Sequence, residues 1–186
     1  MKTRLKEQFL EKRNQLSKEE ILEMSKKIQE NLEKLPQYEN ARTVMQFVSF
    51  GTEVDTHQII KDAIKSKTVA VPKTVEHKIE PCILIDFDSM SPTDPFGILE
   101  PMDLMKLSYK SIEVVIVPGI VFDTQGHRIG YGMGFYDAFL KHVPNAVKIG
   151  LCFDFQVVDL VPREDHDVPV DFIVTEKRVI ECGKSK

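Results

Sequence analysis

The stretch EVVIVPGIVFDTQGHRIGYGMGFYDAFLKHV, residues 113–143, decides the fold of this chain. EVVIVPG (113–119) is a continuous apolar run, which is typical of a parallel strand covered on both faces. FDTQGHRIGYGMG (122–134) is rich in turn-forming residues and predicts a loop, while FYDAFLKHV (135–143) predicts a helix. A buried strand, a glycine-rich loop and a helix in this order form one unit of an α/β layered fold.

The flanking sequence repeats this alternation of strands and helices. Ser17 precedes Glu20 at the spacing of a capping box, so a second helix is expected to start there and to end at Pro36. Thr56 predicts the N-cap of a short helix. Strands are predicted at 42–50, 68–72, 81–87, 113–119, 147–153 and 171–175, a last short strand at 178–182, a first helix at 2–15 and a proline-rich loop at 88–103. The pattern indicates a single Rossmann-like α/β domain over residues 1–186, with a mainly parallel central sheet and helices on both faces.

Composition limits the classes of protein to which the chain can belong. It has 186 residues, of which 42% are hydrophobic and 29% charged, and this suits one ordinary globular domain. A net charge of −4 provides no general basic field for nucleic acid or an anionic membrane. No apolar run approaches the roughly 20 residues of a membrane helix, and the charged start MKTRLKEQFLEKR lacks the apolar core of a secretory signal. We therefore expect neither a nucleic-acid nor a membrane partner.

The three cysteines, Cys82, Cys152 and Cys182, are far apart and lack CxxC spacing. They predict neither a disulfide framework nor a zinc site, and they favour a cytoplasmic location. Cys82 and Cys152 lie in apolar, strand-like runs, so we expect them to be small buried hydrophobic residues.

The glycine-rich segment carries the strongest signal for ligand binding. Gly130, Gly132 and Gly134 allow tight backbone bends that turn N–H groups toward an anion, and the helix that follows adds a partial positive charge. Arg128 offers a bidentate fork for phosphate oxygens, and Asp137 could hold a divalent cation on that phosphate. The segment matches neither the dinucleotide-binding pattern nor the P-loop pattern. The alternative is a tight surface connection whose glycines serve geometry alone.

Three other clusters are candidates for chemistry. Glu53 follows the strand at 42–50, where open α/β sheets bind ligands, although it could equally be a solvated acid; Asp55 or Thr56 is expected to cap the next helix. The acidic run 164–167, with Asp171, could complete a magnesium site with Asp137, whereas a transition-metal site at His166 is the weaker alternative. The basic residues of the N-terminal helix are Lys2, Arg4, Lys6, Lys12 and Arg13. Composition favours a solvated face for them, and the alternative is that Lys2 and Lys6, four residues apart, reach one anion together.

Together these residues resemble the signature of the 5-formyltetrahydrofolate cyclo-ligase family, also called 5,10-methenyltetrahydrofolate synthetase. The family pattern is a strand ending in PG, followed by FD-x-x-G-x-R-[LI]-G-x-G-x-G-[YF]-Y-D, and here it runs from Pro118 to Asp137. Further matches follow the family order at Glu53-Val-Asp-Thr56, Phe96-Gly-Ile-Leu-Glu-Pro101 and His166-Asp-Val-Pro-Val-Asp171. Two residues depart from it, because Lys6 stands where the family often has Arg, and Met133 where Gly or Lys is common.

The resemblance implies an enzyme that converts ATP and 5-formyltetrahydrofolate to 5,10-methenyltetrahydrofolate, ADP and phosphate with Mg2+. It implies ATP contacts from Lys2, Thr3, Arg4, Leu5, Lys6, Arg128, Ile129, Gly130, Tyr131, Gly132, Met133, Gly134, Phe135 and Tyr136. It implies folate contacts from Val48, Glu53, Tyr131, Gly132, Met133, Gly134 and Phe135. Arg128 and Glu53 would be the catalytic residues, and Asp137 and Asp167 the magnesium ligands.

Other functions are compatible with the residues taken without the resemblance. A sugar-phosphate isomerase or an acyl-CoA transferase on a related α/β fold would use the glycine loop for a substrate phosphate and would need no ATP. A noncatalytic nucleotide- or folate-binding module would bind without turnover. The partners expected for the resembling enzyme are small molecules, and the protein is expected to be a monomer.

Overall fold

The computed structural model describes residues 1–183; the last three residues of the predicted domain, 184–186, lie outside the described part. The helices are α1 Lys2–Asn14, α2 Lys18–Glu33, α3 Pro36–Glu39, α4 His57–Ala63 and α5 Phe135–Leu140. The strands are β1 Thr43–Gln46, β2 Thr68–Val75, β3 Lys78–Leu84, β4 Met90–Pro92, β5 Leu99–Pro101, β6 Val114–Val117, β7 Val121–Asp123, β8 Arg128–Ile129, β9 Val147–Leu151, β10 Val157–Val158, β11 Phe172–Val174 and β12 Val179–Glu181.

A seven-stranded sheet in the order β12-β11-β9-β6-β1-β2-β3 forms the centre of the fold. The five inner strands run parallel, and the edge strands β12 and β3 are each antiparallel to their neighbour. Because β1 and β6 are adjacent and parallel, the segments that leave their carboxyl ends emerge at the same edge of the sheet. The predicted architecture is confirmed.

Helices cover both faces of this sheet, as predicted. Side chains alternate along β6, so that Val114 and Ile116 join one core while Val115 and Val117 join the other. The first core contains residues of α2 and α4, and the second contains Phe139 of α5. A strand buried on both faces has no polar face, which is why EVVIVPG reads as a continuous apolar run.

A second sheet of three short strands, β10-β7-β8, lies against α1. Leu5, Phe9 and Leu10 of α1 pack on a small cluster that includes Val121 and Ile129. The sequence prediction was wrong here, because it made the whole of 122–134 a loop. The glycine loop proper is therefore short, spanning residues 130–134 between β8 and α5.

Other predicted elements differ in extent. The proline-rich stretch 88–103 was predicted as a loop but contains the β4–β5 hairpin, in which Pro92 and Pro101 are tolerated because a two-stranded ribbon leaves backbone groups free. The strand expected over 42–50 ends at Gln46. The carbonyl of the next residue, Phe47, accepts a hydrogen bond from the Thr56 hydroxyl. The helix expected over 135–143 ends at Leu140, which limits the dipole available to the glycine loop.

Several local predictions are confirmed. Ser17 and Glu20 form the capping box, with Ser17 Oγ accepting from Glu20 N at 3.1 Å and Glu20 Oε2 accepting from Ser17 N at 2.7 Å. The helix after Ser17 ends at Glu33, ahead of Pro36, which then begins α3. Cys82 and Cys152 are buried, and all three thiols are free. Within residues 1–183 no helix has the length and apolar character that crossing a bilayer requires.

Candidate active site

Many residues that match the signature build the scaffold beneath the glycine loop. A Cβ on Gly119 would lie 2.6 Å from the Phe122 ring, so this glycine makes room for the phenylalanine. Asp123 is fully buried, and its Oδ1 accepts from the backbone N–H groups of Gln125 and His127 at 3.0 Å. Gly126 has φ +91°, and a side chain there would collide with the Val170 carbonyl. These residues shape the turn, and both carboxylate oxygens of Asp123 accept from backbone N–H groups within it or near it.

The glycine loop presents a row of free backbone donors. Gly132 and Gly134 adopt φ +103° and +68°, a region that glycine enters without strain. Residues 131–134 are exposed. Within residues 1–183, no protein acceptor takes a hydrogen bond from the N–H groups of 130–134. The N–H groups that the sequence expects to turn toward an anion are therefore available as donors, and anion binding by the loop stays a prediction.

Arg128 lies under this loop instead of projecting from it. Its side chain is only 5% exposed, Nη1 donates to the Val168 carbonyl at 2.7 Å, and Nη2 donates to Asp137 Oδ1 at 3.0 Å. Burial lowers the pKa of the guanidinium, and the charge of Asp137 opposes that shift. Two of the five N–H groups are thus committed to the protein. Arg128 fixes the loop's geometry and adds positive charge from below.

Glu53 is a buried carboxylate held against the glycine loop. Oε1 accepts from the Tyr131 hydroxyl at 2.8 Å, and Oε2 accepts from Phe50 N at 2.9 Å. Burial raises the pKa of the Glu53 carboxyl, while those two donors and the charge of Arg13 offset part of the effect. The alternative of a solvated acid is excluded, because Glu53 is 6% exposed. This contact joins residues 78 positions apart and links the segment that follows β1 to the glycine loop that follows β8.

Tyr136 contributes a buried hydroxyl that senses the charges of both Glu53 and Arg128. Its oxygen has no hydrogen-bond partner in the described structure. Burial raises the pKa of this phenol, as does the negative charge of Glu53, while Arg128 acts in the opposite direction. A buried hydroxyl without a partner is costly, so a ligand group that bonded to it would recover that cost.

The N-terminal helix brings one lysine to the glycine loop and another to the acidic run 164–167. Lys6 Nζ donates to the Tyr131 carbonyl at 2.7 Å, and Lys2 Nζ lies 3.5 Å from Asp167 Oδ2. Thr3 and Arg4 are exposed on α1, whereas Leu5 packs in the small core beside the loop. Both lysines therefore lie next to predicted site residues.

The two predicted magnesium ligands differ in their surroundings. Asp137 is bound through Oδ1 to Arg128 and to Val168 N, and no group within residues 1–183 bonds to its Oδ2. Burial acts to raise the pKa of Asp167, but the Glu164 N–H and the charges of Lys2 and His166 bring it below its usual value. Potential ligand atoms of Glu164, His166 and Asp167 lie within 4.8 Å of one another, and Asp137 is not in that group.

The remaining predicted residues are mainly structural. Asp171 Oδ2 accepts from Lys148 N, away from the acidic run. Thr56 is the N-cap residue of α4, as predicted, but its hydroxyl donates to the Phe47 carbonyl and makes no capping bond. Asp55 Oδ1 accepts from His57 N at the start of the same helix. Val48 and Ile129 are buried in apolar clusters, Phe135 packs at the edge of another, and Met133 is 69% exposed.

Sequence reasoning missed Arg13, which it assigned to a solvated helix face. Arg13 is 4% exposed, and its guanidinium donates to Thr52 Oγ1 at 3.2 Å and to the Tyr131 hydroxyl at 2.9 Å. A signal was available, since residue 13 follows Phe9 by four positions and Leu10 by three, which places it on the apolar stripe of α1.

Comparisons with known proteins identify relatives of this chain. The sequence model of the 5-formyltetrahydrofolate cyclo-ligase family matches residues 1–176. The 5-formyltetrahydrofolate cyclo-ligase of Escherichia coli K12 is 29% identical over 180 residues, covering 92% of this chain and 98% of the relative. The Mus musculus enzyme of the same name is 27% identical over 175 residues, covering 87% and 86%.

Solved structures give the same relationship. The NMR structure of Aquifex aeolicus 5,10-methenyltetrahydrofolate synthetase has a TM-score of 0.89 and 32% identity, and the match covers all of this chain and 94% of that one. The Mycoplasma pneumoniae 5,10-methenyltetrahydrofolate synthetase, at 22% identity and a TM-score of 0.73, shares the fold. From the family match and these likenesses, the chain belongs to the 5-formyltetrahydrofolate cyclo-ligase family.

Proposed function

We propose that this protein is an enzyme that converts 5-formyltetrahydrofolate and ATP to 5,10-methenyltetrahydrofolate, ADP and phosphate. The observation that carries the proposal is the bond between Tyr131 and Glu53, at 2.8 Å. It places a buried acceptor directly beside a loop of unpaired N–H groups. The glycine loop can therefore contact the phosphates of ATP on one side and the pterin of the folate on the other.

The glycine loop and the N-terminal helix form the triphosphate site in this proposal. The N–H groups of 130–134 donate to phosphate oxygens, and Lys2 and Lys6 neutralise their charge from α1. Arg128 adds charge from beneath, where it is too buried to act as a mobile clamp. The exposed side chains of Thr3 and Arg4 complete the predicted ATP contacts from α1.

Glu53 and Tyr136 form the folate site in this proposal. A buried carboxylate binds N–H donors of a pterin strongly, because the low local dielectric strengthens a charge-assisted hydrogen bond. The Tyr136 hydroxyl, which has no hydrogen-bond partner among the described residues, is a donor for a substrate oxygen. Val48 supports the pocket from the core behind Glu53, being 4% exposed.

The predicted magnesium ligands fit the ion chemically. Within residues 1–183, Asp137 Oδ2 accepts no hydrogen bond. Asp167 supplies further carboxylate oxygens, and oxygen atoms are the ligands that Mg2+ prefers. We propose that these two residues hold Mg2+ together with phosphate oxygens and water. When bound, the ion would neutralise charge on the transferring phosphoryl group.

The chemistry requires positioning more than protein-derived reactive groups. A formamide oxygen is a weak nucleophile and a poor leaving group. Transfer of the γ-phosphoryl group to this oxygen converts it into a good leaving group. N10 of the folate then attacks the formyl carbon, the carbon–oxygen bond breaks with release of phosphate, and N10 loses its proton. The chain's contribution is to orient the two substrates and to stabilise charge, so that no covalent enzyme intermediate is needed.

An absorbance assay for the methenyl product tests the proposal. Product should form only when 5-formyltetrahydrofolate, ATP and Mg2+ are all present, with one ADP released per product. Turnover of another substrate without ATP would instead support an isomerase or transferase, and no observed contact favours either. Thermal melting with ATP, with magnesium-ATP and with the folate shows which of these ligands bind, and binding of ATP and the folate without methenyl product would support a noncatalytic binding module. The monomeric state and the cytoplasmic location remain predictions, to be tested by light scattering and cell fractionation.

A further inference from the structure

Tyr131 is held by α1 at both ends of the residue. Lys6 donates to its backbone carbonyl, and Arg13, two helical turns further along, donates to its hydroxyl. The Phe50 ring, with its centroid 5.6 Å from that of Tyr131, packs against the side chain. The first residue after Gly130 is thus tied to the N-terminal helix through two cations.

The chemistry of Arg13 determines which atom donates and which accepts in the two hydrogen bonds of the Tyr131 hydroxyl. A guanidinium can only donate, so the phenolic oxygen accepts from Arg13 Nη2 and its single proton points to Glu53 Oε1. The other side of Arg13 is fixed in the same way. The Thr52 hydroxyl accepts from Arg13 Nε and gives its own proton to Asn14 Oδ1 at 2.7 Å.

The charges of Arg13 and Glu53 form a pair bridged by this phenol. Both side chains are buried, at 4% and 6% exposure. Within residues 1–183, Arg13 makes no direct ion pair with any carboxylate, which leaves Glu53, one hydroxyl away, as its compensating charge. A buried cation needs such a partner, since an isolated one pays a large desolvation cost.

We propose that Arg13 is a positioning residue for the folate substrate: acting through the Tyr131 hydroxyl, it holds the Glu53 carboxylate in the orientation that accepts from the pterin. This inference rests on the proposed function. Arg13 does not touch the substrate itself. Its loss would free the phenolic proton to turn away and would let Glu53 rotate, so folate binding would weaken while the loop amides and the lysines kept their hold on ATP.

The experiment compares the steady-state constants of wild type with those of Arg13→Met, Tyr131→Phe and the double variant, using the methenyl assay. Arg13→Met should raise the KM for 5-formyltetrahydrofolate about tenfold or more, because hydrogen bonds to charged groups carry that much discrimination. The KM for ATP should change less than about twofold. Since both single changes break the same relay, the double variant should be no worse than the more severe single variant, within about twofold.

Two controls separate positioning from a general effect of charge or folding. Lys12→Met removes the neighbouring cation of α1, whose ammonium lies over the Phe155 ring, and it should leave both KM values unchanged. Arg13→Lys keeps the charge but cannot donate to Thr52 and Tyr131 in the fork geometry, so it should have a smaller effect than Arg13→Met. If Arg13→Met does not fold, Arg13→Lys takes its place in the double-variant cycle.

The outcomes distinguish failure of the inference from failure of the function. A wild-type protein that forms no methenyl product overturns the proposed function and, with it, the positioning role. If wild type is active, three results would overturn the positioning role alone. They are an unchanged folate KM in Arg13→Met, a KM for ATP that rises as much as the folate KM, and single-variant effects that multiply in the double variant.

Discussion

Arg128 Nη2 donates to Asp137 Oδ1 at 3.0 Å, and this one ion pair closes the two ends of the glycine loop. The two residues are nine positions apart, and the loop residues lie between them. Arg128 is 5% exposed and Asp137 is 22% exposed. The residue that looks most like a phosphate ligand in the sequence therefore has a structural partner.

Replacing Arg128 is expected to cost both stability and activity. Arg128→Met leaves the carboxylate of Asp137 without its cation, and breaking a buried pair costs about 3 kcal/mol of the free energy of unfolding. Urea unfolding measures this loss. The KM for ATP should rise in the same variant, because the loop that presents the N–H groups is no longer closed.

The double variant Arg128→Met/Asp137→Asn tests the ion-pair explanation. Removing both charges leaves no uncompensated group, so this protein should be more stable than Arg128→Met alone by roughly 1 kcal/mol. If the two variants unfold at the same urea concentration with the same slope, the ion pair does not stabilise the loop.

The central sheet could be predicted because its strands are buried on both faces and carry unbroken apolar runs. The runs 113–119 and 147–153 become β6 Val114–Val117 and β9 Val147–Leu151, each shortened where the chain leaves the sheet. The short strands β7 and β8 could not be predicted, because two or three residues contain no periodicity and the intervening glycine signals only a turn. The β4–β5 hairpin was hidden by its own prolines.

The site was predictable only in part, because some of its features are local in sequence and others join distant segments. The glycine loop is local in sequence, and its spacing predicts the free N–H groups that the structure contains. The relay from Arg13 through Tyr131 to Glu53 joins three distant segments, and no local pattern encodes such a contact. The burial of Arg13 could have been inferred from its place on the apolar stripe of α1, where charge alone suggested a solvated residue.

Replacing Met133 with lysine should strengthen ATP binding, because it adds a positive charge to the glycine loop. The resemblance implies that glycine or lysine is common at this position in the family, and Met133 is 69% exposed on the glycine loop. Met133→Lys should lower the KM for ATP roughly two- to fivefold at low ionic strength, the range expected of one exposed charge contact. Steady-state kinetics measures this, with Met133→Gln as the neutral control. The gain should shrink in high salt, and an unchanged KM at low salt would argue against phosphate binding at this position.

Two glycines of the signature should respond differently to alanine. Gly126 has φ +91° and no space beside the Val170 carbonyl, so Gly126→Ala should reduce the free energy of unfolding by about 3 kcal/mol or more. Gly130 has an ordinary φ, and its chain neighbours aside, no heavy atom of residues 1–183 lies within 4 Å of the position that a Cβ would take. Gly130→Ala should therefore change stability by less than about 1 kcal/mol. Denaturant unfolding checks both values.

Gly130→Ala also tests whether the triphosphate of ATP binds next to this residue. The added methyl group would occupy space that the triphosphate needs near the backbone, so the KM for ATP should rise although the fold is unaffected. A variant with unchanged stability and unchanged KM would place the phosphates away from this residue.

Glu53 should make the stability of the protein depend on pH in the direction opposite to that of most acids. Burial raises the pKa of its carboxyl above the ordinary value of 4.5, so the folded chain holds the proton more tightly than the unfolded chain. The stability that comes from protonated Glu53 is therefore fully present below about pH 4.5 and is lost as the pH rises through the folded-state pKa. An ionised Glu53 at neutral pH is a stability cost that folate binding would offset.

Comparison of wild type with Glu53→Gln isolates this effect from the other titrating groups. The Tm of wild type minus that of Glu53→Gln should fall as the pH rises from 4.5 and then level off above the folded-state pKa, because only wild type loses the proton. Melting curves across that range give the difference at each pH. Adding 5-formyltetrahydrofolate at neutral pH should raise the Tm of wild type more than that of the variant, since the carboxylate is the proposed pterin acceptor. Parallel Tm curves at every pH would mean that Glu53 has the same proton affinity in both states, and its burial would then carry no electrostatic cost.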